Sequence, residues 1–413
     1  MIAAAPGADS EAHAYWRQNA TALAAAGFLL SAGFSASGPF LPLVAREMGV
    51  AGHVETWVGF VLGGYFGLSF FLTPVWGVVA DHYGRKAMVL RTSFGMGVLT
   101  LLMPVAPNLA SFTVLYLLMG TTNGFIPSCQ ALVATTTPAR RLGSSLALVH
   151  AGALLGGTIG PALGAYAAGL LPRYRDLFYL NAGLVLVAGL LALLFARERY
   201  GRPGTPFRLH LLRDLRIIVR IPNAVVLFLV MFATSVTFFG SGPIVTVYVL
   251  ELLNPAGSPG AADVNFWVGA VSVAFTAASA LCVPAWGKLA DRLGPPRVLT
   301  LSLLLGGLAT LPVVFVESVS QLAAARFLAG AFAVGMGPAA LAILKARSPR
   351  GMEGRVLSYS AAFSALGMGL GPFVAGQIGP WLGLRAFFVL NSALLLGLLV
   401  AWWRSWERSR GLA

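Results

Sequence analysis

Residues 76–90 read WGVVADHYGRKAMVL, a knot of ionisable side chains set between two long apolar stretches. A degraded copy follows about 210 residues later, where PVWGVVADHYGRKAMVL at 74–90 is matched by PAWGKLADRLGPPRVL at 284–299. Other landmarks keep the same separation. GPALG at 160 answers GPFVAG at 371, LFYLNAG at 177 echoes FFVLNSA at 387, Gly120 falls on Gly330 and Asn181 on Asn391. A constant offset over most of the chain points to a duplicated unit, and repeats of this kind place a binding site between the copies near the bilayer midplane.

The intervening sequence is oily. The 413 residues are 57% apolar and only 10% charged, with a mean hydropathy of +0.80; a soluble domain carries about 25% charged residues. A hydrocarbon core of about 30 Å needs roughly 20 apolar residues per helix. Segments of that length lie at 20–44, 55–79, 87–106, 111–134, 145–170, 177–196, 223–250, 264–286, 297–316, 321–344, 356–379 and 385–403. The short alternating segments of a membrane barrel are not seen. The expected fold is an all-α membrane protein with 12 transmembrane helices in two pseudo-symmetric six-helix bundles, 1–196 and 223–413. The linker at 197–222 contains FRLHLLRDLRIIVR, spaced like an amphipathic basic helix on the inner membrane surface.

Of the 28 Lys and Arg, all but Arg46, Arg173, Arg175, Arg385 and Arg326 fall in segments that share one side if both termini are cytoplasmic, and this asymmetry sets the orientation. The net charge of +14 is scattered over short loops, which suits an anionic leaflet rather than a nucleic acid. Residues 1–19 show no cleavage pattern, so no signal peptide is expected. Cys129 and Cys282 lie within spans and read as small core residues. No phosphate loop, HExxH, GxSxG or pair of acids within a span occurs, so neither an enzyme nor a cofactor or metal site is expected.

Within the opening stretch, Gly77 and Gly84 permit tight turning, Asp81 ends one span, and Arg85 and Lys86 begin the next. Such a carboxylate can face a helix N-terminus or a basic side chain. In the copy, Gly287, Asp291 and Gly294 recur, but Pro295 and Pro296 replace Arg85 and Lys86. Asp291, which could face Arg141, Gly143, Ser144 and Ser145, therefore reads as the weaker of two conformational latches. A second motif, GGTIGPALG at 156, sets Gly156, Gly160 and Gly164 four residues apart around Pro161. Its copy is Gly367, Gly371, Pro372 and Gly376. Small faces let helices touch, and this one is expected to form a seam between the two halves.

Every Asp and Glu lies at a span end or in a loop, so intramembrane ionisable groups are few. His150, about nine residues beyond Arg141, should sit roughly 13 Å deep, where imidazole can exchange a proton or serve as a hydrogen-bonded structural group. Arg326 enters the tenth span. Tyr116, Asn123 and Gln130 share one helix face, as do Thr234, Thr237 and Ser241 on the seventh. With Phe34, Phe40, Phe238, Phe239, Phe332 and Phe363 they could line a cavity of aromatic rings and neutral hydrogen-bonding groups. Such a cavity suits a lipophilic or amphipathic solute and not a phosphate.

These motifs resemble the major facilitator superfamily, in particular its twelve-helix drug:proton antiporter branch. GPFLPL at 38 and GVVADHYGRK match its signatures in the first span and the loop after the second, and GGTIGPALG matches the fifth-helix signature of antiporters. The resemblance implies export of hydrophobic or amphipathic molecules by alternating access in exchange for protons, from a monomer in the cell membrane surrounded by lipid. It also implies that Asp81 latches onto the start of the eleventh helix, at Gly354 and Arg355. The sequence departs from the family where a fourth-helix arginine is expected: Tyr116 stands there, and its mate in the other half is Arg326. Proton coupling is then expected at His150 and Arg326, or at a rim carboxylate such as Glu55, Glu251 or Glu317. Movement of a lipid or glycolipid between leaflets and a non-transporting sensor of the same fold are the alternatives.

Overall fold

The computed structural model describes residues 15–198, 221–253, 260–348 and 353–410. Most of the linker, and the side chains of Asp81 and Arg355 together with Gly77 and Gly354, lie outside what is described. Among the described residues, twelve helical segments are long and apolar enough to cross a membrane. They are Trp16–Glu47, Val54–Thr73, Arg85–Val105, Leu109–Thr136, Leu142–Leu170, Tyr174–Phe195, Ala224–Leu253, Ala262–Leu293, Pro295–Val314, Val319–Arg347, Tyr359–Leu382 and Leu384–Arg408. No strand occurs among the described residues. In lipid a helix is the element that satisfies its own backbone groups, so long apolar runs have little alternative.

By internal packing the described residues form two compact units, one from Met1–Gly38 and Phe71–Phe207 and the other from Pro39–Phe70 and Arg208–Ala413. The first part of the second span, up to Phe70, thus belongs with the later helices. There a Cβ on Gly59 would stand 2.6 Å from Pro372 O and 2.9 Å from Gly376 Cα, and Thr56 Oγ1 donates to Gly376 O at 3.0 Å.

Hydrogen bonds repeat with the sequence offset. Trp76 Nε1 donates to Thr121 O in the first unit and Trp286 Nε1 to Ala331 O in the second, each at 2.8 Å. Arg175 Nη1 reaches Ala106 O, and Arg385 Nη2 reaches Val316 O, both at 3.4 Å. Gly84 and Gly294 both hold a left-handed backbone, φ +93° and +83°. That conformation turns the chain from the second span into the third and from the eighth into the ninth without the strain a Cβ would bring.

Candidate functional site

Four spans expected to be continuous are interrupted. The first passes through a 3-10 turn at Gly38–Phe40. The fourth divides into Leu109–Thr122 and Phe125–Thr136, the seventh into Ala224–Phe239 and Gly242–Leu253, and the tenth into Val319–Ala333 and Met336–Arg347. They are the first helices of the four successive groups of three. Broken helices at membrane depth are tolerated where the freed backbone groups find partners or line a cavity, and in transporters they mark the binding region.

In the first unit those partners are visible. Asn123 and Gly124 break the fourth span, Gly124 with φ +116°. Arg91 of the third span donates from Nη1 to Thr121 O and from Nη2 to Asn123 O, both at 3.3 Å. Its guanidinium lies 3.7 Å from the centre of the Trp76 ring. Asn123 turns its own Oδ1 to Gly124 N at 2.7 Å. Arg91 belongs to the break of the fourth helix, and its position inside the third span was the available signal.

Gly84 N-caps the third span. Arg85 and Lys86 serve the first unit itself: Glu198, at the end of the sixth span, accepts Arg85 N at 2.9 Å and Lys86 N at 2.8 Å. Lys86 Nζ donates to Leu193 O at 2.9 Å. A carboxylate at a helix N-terminus satisfies two orphan donors and complements the dipole, which is why these residues are tied down locally. Asp291 is exposed, and no hydrogen bond or ion pair holds it among the described residues.

The glycine seam also acts inside one unit, contrary to the expectation of an interface between the halves. A Cβ on Gly156, Gly160 or Gly164 would strike the backbone of Phe28, Ala32 and Ala36 in the first span. The glycines repeat every four residues, as do the first-span positions they meet, and this brings the two backbones together. Pro161 is buried beside them. In the other unit, Gly367 meets Phe232 and Ser235, and a Cβ on Gly371 would stand 3.1 Å from Gly240 Cα.

Several expected cavity residues are core residues. Tyr116 is buried beside Phe112 and Phe178, whose rings pack edge to face at 5.2 Å. Thr237 is buried and donates to Ala233 O at 2.9 Å and Asn391 Oδ1 at 3.1 Å. Phe238 packs edge-on against Phe275 at 5.0 Å, Phe363 stacks on Phe228 at 5.1 Å, and Phe332 leans on the same core. Their helices turn these apolar faces toward neighbours within the unit, where packing is dense. Phe34, Asn123 and Gln130 are half-buried, and His150 is exposed. On the fifth span Leu148, Leu155, Ile159 and Tyr166 form an exposed apolar face; at about 100° per residue His150 points roughly opposite to it. Among the rim carboxylates, Glu55 is buried and pairs with His53 at 3.1 Å.

Arg326 is 7% exposed. Its Nη1 donates to Ser241 Oγ at 2.9 Å, and its guanidinium lies 4.4 Å from the centre of the Phe275 ring. His53 pairs with Glu55 and Arg173 with Asp176; Arg326 belongs to neither pair. It borders a cavity of about 10 Å³ shared with Thr237, Ser241, Thr310 and Asn391.

The sequence profile described as Major Facilitator Superfamily matches residues 23–261 and 227–411. Similar curated proteins include "Multidrug resistance protein MdtG" of Salmonella arizonae, 34% identical over 401 residues, 96% of this chain and 97% of that one. The protein of the same name from Citrobacter koseri is 34% identical over 400 residues, 96% of each chain. Among solved structures, a bacterial homologue of the human lysosomal transporter Spinster, inward-facing and occupied, aligns with a TM-score of 0.74 at 13% identity, covering 95% of this chain and 97% of that one. The nucleoside transporter NupG gives 0.76 at 10% identity, covering 94% and 99%, and the human organic anion transporter MFSD10 gives 0.67 at 18%, again covering 94% and 99%.

Proposed function

This chain belongs to the major facilitator superfamily, and from that premise we propose that it exports hydrophobic or amphipathic small molecules, drugs among them, by alternating access in exchange for protons. The observation that carries the reading is the 34% identity, over 96% of the chain, to proteins named for multidrug resistance. The scarcity of fixed charge within the spans agrees with a lipophilic cargo. In this reading residues 1–196 and 223–413 act as the two bundles, joined by the linker at 197–222. The protein works as a monomer in the cytoplasmic membrane with both termini inside, and Phe34, Asn123 and Gln130 contribute to the cavity.

Proton exchange is assigned to His150. It is exposed on the face of the fifth span turned from its apolar side, and imidazole changes charge near neutral pH. Arg326 is set aside for this role because no acid pairs with it among the described residues and guanidinium holds its proton throughout the physiological range.

Inside-out vesicles carrying the protein test the reading directly. With an acid-inside gradient, a panel of lipophilic dyes should accumulate, and collapsing the gradient should abolish accumulation. Movement that ignores the gradient would overturn proton exchange, and failure to move any dye would overturn export.

A further inference from the structure

The two units place different residues at one point of a shared plan. Position 116 in the first holds a tyrosine whose ring fills the space beside Phe112 and Phe178. The corresponding position in the second holds Arg326, beside Phe388, and the space there is open: a cavity of about 10 Å³, enough for one small occupant.

The polar groups around that space are short of negative charge. Arg326 Nε is buried with no hydrogen-bond partner. Ser241 accepts from Arg326, so its own hydroxyl hydrogen is left to point elsewhere. Asn391 receives the Thr237 hydroxyl on Oδ1, which leaves its amide hydrogens available. Its counterpart Asn181, by contrast, donates its amide to Ser37 Oγ at 3.0 Å. An ammonium or guanidinium charge inside a membrane protein is costly unless an opposite charge accompanies it, and among the described residues this cavity has donors without an acid.

We propose that this cavity binds one small monovalent anion of the halide class, held by Arg326 Nε, the Ser241 hydroxyl and the Asn391 amide. The anion neutralises Arg326 within the second unit and holds the seventh, tenth and twelfth spans together. Water alone would fill the volume and leave the charge uncompensated.

The test uses the full chain purified in detergent, with chloride replacing gluconate at fixed ionic strength and pH. The melting temperature should rise with chloride by a few degrees and saturate, as ligand linkage requires. Ser241→Ala should raise the half-saturating concentration about tenfold, the effect of losing a hydrogen bond to a charged group, and Arg326→Met should flatten the response. If Arg326→Met does not fold, crystals of the wild-type protein grown in bromide decide the matter, with an anomalous peak expected between Arg326, Ser241 and Asn391. No chloride-dependent shift in the wild-type protein, a shift that both variants leave unchanged, or bromide absent from this cavity would overturn the proposal and leave a bound water only.

Discussion

Two tryptophans, Trp76 and Trp286, show how a single side chain can settle a helix break. Each donates its indole N–H to a main-chain carbonyl beside the interruption of the fourth or tenth span. Replacing Trp76 with phenylalanine keeps most of the ring and removes the donor, so Trp76→Phe should lower stability by about 1 kcal/mol. Trp286→Phe should do the same, and the double variant should show the sum because the pairs lie in separate units; thermal unfolding in detergent measures all three. His150 makes a different kind of claim. Its place on the fifth span predicts that His150→Ala weakens the pH dependence of vesicle transport, and an unchanged pH profile would return it to a structural role. Both histidine and tryptophan are conspicuous in the sequence, yet what they bond to is not. Arg91 and Glu198 are harder still to read, because the main-chain groups they bond lie 30 or more residues away along the chain and contact at that distance is set by packing.

At the scale of elements the spans were legible and their interruptions were not. An 18-residue apolar window has the same mean hydropathy whether its helix is continuous or broken, so Asn123–Gly124 and Gly240–Ser241 hide within good spans. The glycines were legible as a close-packing face, but the sequence does not say which helix the face meets. The geometry now discriminates among neighbouring glycines. Gly156 lies against the first-span backbone, whereas a Cβ on Gly157 would meet nothing within 4 Å. Gly156→Leu should therefore cost about 3 kcal/mol or more, since backbone cannot move aside as a side chain can. Gly157→Ala should be neutral to slightly stabilising, by up to about 1 kcal/mol. Folded yield and unfolding temperature separate the two, and equal losses would mean the first and fifth spans do not approach as described. Similarly, Glu198→Gln keeps the size of the side chain but removes the charge at the start of the third span, and should destabilise by about 1 kcal/mol, less at high salt.

For the whole molecule, duplication was the most legible property, because equal spacing of Trp, Gly and Asn survives where their neighbours have diverged. What the offset could not show was how far the copies differ in use. Tyr116 and Arg326 occupy equivalent places with opposite consequences for charge, and the two loops diverge in the same way: Arg85 and Lys86 are held by the sixth span, while Pro295 and Pro296 begin the ninth. The proposed latch inherits this asymmetry. A carboxylate that is hydrogen-bonded in one conformer and solvated in the other biases their populations by its differential interaction energy, so only the conformer that bonds it gains. Asp81→Asn should then slow dye efflux several-fold with insertion and folded yield intact, whereas Asp291→Asn, at an exposed position in the proline-interrupted copy, should change it by less than about twofold. Initial rates in vesicles at matched protein content measure both, and equal effects would mean that the two loops carry the conformational balance alike despite their divergence.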